Sequence, residues 1–355
     1  MSSGLDDVVA AETMLSHVDG VGGQLIIRGY PLAAIAGRIR FEQMVHLLFH
    51  GLFEDLPDAV RLTAMLGAAR GEVFAVTRSL LPLVADRPVY DAMRVAAALM
   101  PDGTTLDDAL RLVALPAVLV PALIRQAAGK VPIPPEASRG HAADIMAMLG
   151  RDEPGDPLDT YLVTVSDHGL NASTFAARVV ASTQAGLTSA VLAGLGALKG
   201  PLHGGAPKPV IDMLDAIAAE GDARAWLTRT LNGGGRLMGF GHRIYRTRDP
   251  RADALKAALR AYPETSGRLA FAEDVERIAL DVLREYRPGH ALQTNVEFYT
   301  ALLLEAAGFP PSAFTGVFAM GRVAGWIAHA REQAMTGRLI RPKSRYIGAH
   351  RELAA

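Results

Sequence analysis

Apolar residues recur at three- and four-residue spacing along most of the chain, the pattern of amphipathic helices. The spacing predicts helices over 33–51, 57–70, 75–84, 88–100, 105–127, 135–150 and 157–167. Further helices are predicted over 171–197, 207–220, 222–233, 251–262, 268–286, 295–307, 311–316 and 319–335. In 88–100, for example, Val89, Met93, Val95, Ala96 and Leu99 make one apolar stripe. One segment alternates instead. Gln24–Tyr30 (QLIIRGY), behind the turn-rich DGVGG of 19–23, predicts a strand in a small hairpin near the N-terminus. Pro-rich KVPIPPEAS (130–138) and RDEPGDP (151–157) read as loops, because proline blocks helix continuation. NGGGRLMGFGHR (232–243) is too rich in glycine for a regular element and reads as a loop that carries function. There is no internal repeat and no obvious linker, so the fold class is all-α with one small β-hairpin.

Two apolar stretches need a decision between core and membrane. Leu112–Ile124 is only 13 residues long, contains Pro116 and Pro121, and is flanked by Arg111 and Arg125. Val179–Leu198 runs 20 residues without a charge, yet carries Ser182, Thr183, Gln184, Thr188 and Ser189 among many Ala and Gly. It predicts one buried helix whose small residues allow close contact, and no membrane span. The first residues, MSSGLDDVVAAE, lack the basic and apolar regions of a targeting segment, so a cytoplasmic location is expected.

Composition narrows the chemistry. At about 150 residues per domain, 355 residues suggest two domains. Lys plus Arg number 36 and Asp plus Glu 37, a net charge of −1 that gives no global field for nucleic acid. The absence of cysteine excludes disulfides, thiolate metal sites, iron–sulfur ligation and a cysteine nucleophile. No phosphate loop, G-x-S-x-G elbow or H-E-x-x-H occurs, and the glycines at 194, 196 and 200 have the wrong spacing for a dinucleotide site. His46 and His50 stand at i,i+4 without an evident acidic partner and read as helix-surface or core residues. No metal site is expected.

Three histidines lie in turn-like contexts: His168 in SDHGLNAS, His203 in GPLHGG and His242 in GFGHR. Any one alone is as well explained as a satisfied core histidine. Together, beside glycines that let a ligand approach, they suggest proton transfer or hydrogen-bond donation. Arg236, Arg243, Arg246, Arg248 and Arg251 crowd into 16 residues against one acid, Asp249, and Arg322 and Arg341 stand in marked settings of their own. Some of these fit a solvated charge run. The others suit a small polyanion and a second, phosphate-bearing ligand. Glu297 opens an apolar helix in QTNVEFYTALLLEAAG, where the helix dipole alone accounts for an acid; beside the histidines and arginines it is a candidate general base.

The motifs together resemble the citrate synthase family. They are DDVVAAETMLSHVDGVGGQLIIRGY (6–30), SDHGLNASTFAARV (166–179), GPLHGGAPKPVIDML (200–214) and LMGFGHRIYRTRDPRADALK (237–256). NVEFYTALLLEAAGFP (295–310), FAMGRVAGWIAHAREQ (318–333) and RLIRPKSRYIG (338–348) complete the series, in order along nearly the whole chain. The resemblance implies a two-domain helical fold. A large domain would hold 1–205 and 307–355, and a small inserted domain, 206–306, would close over the active-site cleft.

The resemblance also implies roles. His203 would donate to the acetyl-CoA thioester oxygen, His242 would polarise the oxaloacetate ketone, and Glu297 would remove the methyl proton. His168, Arg251 and Arg322 would hold oxaloacetate carboxylates. Arg341 would come from the partner subunit of a homodimer. Arg246 and Lys256 would contact coenzyme A. No cofactor is implied beyond the coenzyme A thioester used as substrate, and neither nucleic acid nor membrane is a partner. The activity implied is a transferase reaction of the tricarboxylic acid cycle, with 2-methylcitrate synthesis from propionyl-CoA, or a weakly active citrate or acyl-CoA sensor, as alternatives. The family's common motif is N-V-D-F-Y, whereas this chain reads NVEFY. Glutamate keeps a carboxylate of similar basicity but is one methylene longer. The backbone compensates, the enzyme is slow, or the preferred acyl group differs; compensation is expected, because every other match is intact.

Overall fold

A computed structural model describes residues 8–151, 155–204, 207–242, 244–262, 265–289 and 292–349. The chain opens with β1 (Ser16–Asp19), β2 (Gln24–Ile27) and β3 (Tyr30–Pro31). Helices follow: α1 (Leu32–Ile35), α2 (Phe41–Phe49), α3 (Ala59–Val84), α4 (Val89–Ala98), α5 (Leu106–Ala127), α6 (His141–Leu149) and α7 (Asp156–Val165). The next are α8 (Ala172–Ala181), α9 (Leu187–Leu198), α10 (Pro207–Glu220), α11 (Ala223–Asn232) and α12 (Pro250–Leu259). The last are α13 (Ser266–Tyr286), α14 (Val296–Ala306) and, after a 3-10 turn at Pro311–Ala313, α15 (Phe314–Thr336). Beyond α15 the described chain, through 349, has no regular element and is largely exposed.

The all-α expectation holds, with local differences. The strand expected over Gln24–Tyr30 is split. Arg28 and Gly29 both have positive φ, 51° and 88°, and turn the chain so that Ile27 pairs with Tyr30. Two such residues in succession make the tight turn whose twist suits a hairpin, so the sheet has three antiparallel strands in the order β1-β2-β3. The helix expected across Val179–Leu198 is two helices, interrupted at residues 182–186, where Gln184 takes φ 66°. Conversely, 57–70 and 75–84 merge into the single helix α3. Helix α5 runs unbroken through Pro116 and Pro121. Each proline removes one helical N–H bond, but nearly every side chain from Leu106 to Leu123 is buried, and that packing carries the helix through both, as its spacing predicts. The stripe predicted in α4 is rotated: Tyr90, Ala92, Met93, Ala96 and Ala97 are buried, while Val95 and Leu99 are exposed.

Helix α15 is the axis of the core. Trp326, Arg322 and His329 on it are all buried. Glycines let it sit against its neighbours: a Cβ on Gly194 of α9 would fall 2.7 Å from the Trp326 ring, and one on Gly325 would fall 2.2 Å from the Ser166 carbonyl oxygen. This contact brings the end of α7, and the SDHG segment after it, against Arg322. Among the described residues, no helix is long and apolar enough to cross a membrane.

Candidate active site

Four segments converge. The first follows α7. Asn171 caps α8 by accepting from the Thr174 N–H at 3.2 Å, and Gly169 takes φ 58°. The turn that results leaves His168 only 5% exposed. The second is the turn after α9, where the His203 N–H bonds the Gly200 carbonyl at 2.9 Å. His203 Nε2 lies 2.8 Å from Ser173 Oγ, which also receives Trp326 Nε1–H at 3.1 Å and lies 2.8 Å from Asn171 Oδ1.

The third segment is the glycine-rich loop before α12. Gly239 and Gly241 have φ near 84° and 82°, and a Cβ on Gly239 would meet Phe298 at 2.8 Å. The loop pairs with the residues just before α14. Gly241 N–H bonds Gln293 O at 2.7 Å, Asn295 N–H bonds Gly239 O at 2.9 Å, and Asn295 Nδ2 donates to Gly241 O at 2.8 Å. Those bonds fasten His242 to the start of α14, where Asn295 caps the helix by accepting from Glu297 N–H at 2.9 Å. Asp249 makes the second fastening. It accepts from Arg251 Nε at 3.0 Å, from Arg251 NH2 at 2.8 Å and from Val296 N–H at 3.1 Å. The hairpin braces the same loop from outside: Arg246 N–H bonds Gly20 O at 2.8 Å, and a Cβ on Gly20 would strike the Ile244 carbonyl.

The fourth is α15, with Arg322 only 1% exposed. Its Nε donates to Val165 O at 2.6 Å and its guanidinium lies 4.7 Å over the Phe318 ring. Its NH2 has no hydrogen-bond partner among the described residues. Burial drags its pKa down to about 10; nearby Arg251 adds to this, while Asp167 opposes it. A buried, unpaired cation is costly unless an anion arrives to meet it.

Proton positions follow from the bonds. His242 Nδ1 accepts from Ile244 N–H at 3.0 Å and Tyr245 N–H at 3.1 Å. Burial, reinforced by Arg251, lowers its pKa to about 4, so the ring is neutral with its proton on Nε2. That Nε2 faces Arg251 NH2 at 3.2 Å. Two donors face each other there, and among the described residues neither His242 Nε2–H nor this contact has an acceptor. His203 is likewise held neutral, near 4, by burial and then by Arg322. His168 is pushed well below its ordinary value by burial and by the same two arginines. Glu297 goes the other way. Burial raises it to about 7 with some repulsion from Asp249, against the pull of Arg251 and of its bond at Asn295.

The remaining candidates lie elsewhere. Arg246 is exposed beside the loop. Lys256 is paired with Glu273 at 3.1 Å and Glu276 at 3.3 Å, and sits 5.4 Å over the Tyr299 ring. Arg341 is exposed in the tail; the preceding Ile340 N–H bonds Ser182 Oγ at 3.0 Å. Ser182 follows α8 directly, nine residues and about 13 Å of helical rise beyond Ser173. His46 Nε2 lies 3.1 Å from Pro57 O, and among the described residues no group of three or more His, Asp or Glu could hold a metal ion. Sequence reasoning missed Ser173, Asp249, Tyr245 and Trp326 as site residues. Asp249 had a signal, an acid ahead of Pro250 at a helix start; the other three had none.

Residues 4–343 match the family model of the citrate synthase C-terminal domain. The chain is 38% identical over 370 residues to the citrate synthase of Haloferax volcanii, covering 98% of this chain and 96% of that one. It is 34% identical over 368 residues to the 2-methylcitrate synthase of Mycobacterium tuberculosis (98% and 91% covered). Its structure superposes with TM-score 0.86 and 27% identity on the citrate synthase of Thermoplasma acidophilum, solved as a ternary complex with carboxymethyl coenzyme A and oxaloacetate (100% and 98% covered). With its seven ordered motifs, its mostly helical fold and these converging donors, the chain belongs to the citrate synthase family and is an enzyme.

Proposed function

We propose that the protein condenses acetyl-CoA with oxaloacetate to citrate and free CoA. The observation that carries this reading is the unsatisfied donor set: the buried Arg322 NH2, without a partner among the described residues, and the His242 Nε2–H facing Arg251 NH2. Oxaloacetate brings two carboxylates and a ketone oxygen, the acceptors such a set lacks. His168, Arg251 and Arg322 take the carboxylates, and His242 donates to the ketone oxygen.

Glu297, with its carboxyl near pH 7, then removes a proton from the acyl methyl group. A base poised close to the working pH is both largely ionised and basic enough to act. Neutral His203 donates to the thioester oxygen as the enol forms, its ring held in place by Ser173 Oγ at 2.8 Å from Nε2. The enol carbon attacks the ketone carbon, the ketone oxygen takes a proton from the His242 side, and water then cleaves the citryl thioester. Arg246 approaches coenzyme A phosphate. Lys256 joins it only by leaving Glu273 and Glu276. Segments 1–205 with 307–355, and 206–306, act as the two sides of a closing cleft that excludes water. A homodimer completes each site with Arg341 from the partner subunit, which suits its exposed position in the tail. A cytoplasmic setting accords with the bacterial and archaeal relatives.

The test is release of free CoA from oxaloacetate with acetyl-CoA and, separately, propionyl-CoA, for wild type, Glu297→Asp and Glu297→Gln. Turnover with acetyl-CoA and its loss in Glu297→Gln are expected. Preference for propionyl-CoA would transfer the reading to 2-methylcitrate synthesis. Saturable citrate binding without turnover would make the protein a sensor. Mixing Arg341→Ala with His203→Ala subunits should restore part of the activity, and confirmed heterodimers without recovery would refute the shared site.

A further inference from the structure

Tyr245, in the His242 loop, reaches across to the SDHG segment with its hydroxyl. It is 4% exposed. Its Oη lies 3.1 Å from His168 Nε2. Its ring centroid is 4.8 Å from that of His242 and 5.6 Å from that of His168, with the Arg251 guanidinium 5.8 Å from it. Its backbone N–H is also one of the two donors that fix the His242 proton on Nε2. Burial pushes the phenol above its ordinary range, against the pull of Arg251, so it stays protonated and keeps a donor.

A neutral imidazole has one N–H, and which nitrogen carries it depends on the partner. If the phenol donates to Nε2, His168 carries its proton on Nδ1. If Nε2–H donates to the phenol, the Tyr245 O–H is free to turn to an arriving acceptor. In either state the hydroxyl decides what His168 offers to a ligand and fixes the tilt of the ring. The His168 and His242 centroids stand 5.6 Å apart at 76°, an arrangement for which Tyr245 supplies the common wall.

We propose that Tyr245 is a positioning residue of the ketoacid pocket, holding His168 through its hydroxyl and His242 through its ring and backbone, so that both imidazoles are set against Arg251. This rests on the oxaloacetate reading above. It assigns Tyr245 to ligand affinity, while the acid–base steps stay with Glu297, His203 and His242.

The experiment uses Tyr245→Phe, which removes one oxygen and leaves the ring, and Tyr245→Leu, which removes both supports. Oxaloacetate is measured by direct binding without acyl-CoA and by KM in the CoA-release assay. In Tyr245→Phe the oxaloacetate Kd and KM should each rise about fivefold, the loss of one neutral hydrogen bond. The acyl-CoA KM, kcat and Tm should stay near wild type. In Tyr245→Leu kcat should fall as well, because His242 loses its wall. Wild-type oxaloacetate Kd and KM in Tyr245→Phe would overturn the proposal. So would a lowered Tm and kcat with oxaloacetate KM unchanged, the result of a merely structural contact. If the wild type itself fails to bind oxaloacetate, the oxaloacetate reading falls first and this proposal with it. Normal wild-type binding with an unaffected Tyr245→Phe overturns this proposal alone.

Discussion

Replacing Glu297 by Gln should make the protein more stable at alkaline pH while removing its activity. In the unfolded chain a glutamate ionises near its ordinary 4.5; in the folded chain burial raises Glu297 to about 7. Below pH 4.5 both states are protonated and the buried group carries no charge cost. Between 4.5 and 7 the unfolded chain gives up its proton while the folded one keeps it, so the wild type loses stability as pH rises. Above 7 both are ionised, and the loss levels off at about 3 kcal/mol, at about 1.4 kcal/mol per pH unit. Gln has no such dependence. With an unfolding entropy of roughly 2.1 cal/mol/K per residue, a chain of this length converts 3 kcal/mol into about 4 °C of Tm. The assay is thermal unfolding of both proteins from pH 4.5 to 8.5 at equal protein concentration, since assembly also shifts Tm. The variant's advantage should be smallest near pH 4.5 and reach its plateau by pH 8. A difference that stays constant across that range would refute the raised carboxyl, and with it the claim that the base is poised near the working pH.

Four further outcomes follow from the same geometry. The kcat/KM for acyl-CoA should fall about tenfold per pH unit below pH 7 as Glu297 protonates. His203 and His242 titrate near 4 and should add no second inflection between pH 5 and 9; a histidine-like step near 6.5 that survives in Glu297→Asp would contradict their assignment as neutral donors. Arg322→Gln should raise the oxaloacetate KM by about ten- to a hundredfold, the worth of a hydrogen bond to a charged group, with acyl-CoA KM little changed; equal KM values would show that the unpaired guanidinium serves no ligand. Gly325→Ala should cost about 1–3 kcal/mol by overpacking in urea unfolding, because its Cβ would fall 2.2 Å from Ser166 O. It should also weaken oxaloacetate binding, since Ser166 leads directly into His168. An undiminished midpoint would show that α15 and the SDHG segment are not in rigid contact.

Much of the molecule is legible from residue order alone. The three- and four-residue spacing and the glycine-rich loop set most of the helices and their order, because those signals act within a turn or two of chain. The chemistry-bearing residue types were legible as well: His168, His203, His242, Arg251, Arg322 and Glu297 all stand in marked local contexts. Where the expectation failed, the backbone had turned: positive φ at Gln184 breaks what periodicity joined into one helix, and positive φ at Arg28 and Gly29 splits the expected strand. The helix expected over 105–127 holds, burial carrying α5 through two prolines.

What only the tertiary structure decided is the state of those groups. Sequence cannot say that Glu297 sits near 7, that His242 holds its proton on Nε2, or that Arg322 lacks a partner. Each depends on burial and on groups from other segments: the charges of Arg251 and Asp249, the Val165 carbonyl and the loop amides. Nor does it mark Tyr245, which resembles any tyrosine in a basic run until folding sets its hydroxyl 3.1 Å from His168, a residue 77 positions away. Local propensity acts along the chain; desolvation and Coulomb fields act through space, and they fix protonation only once the core has closed around the site.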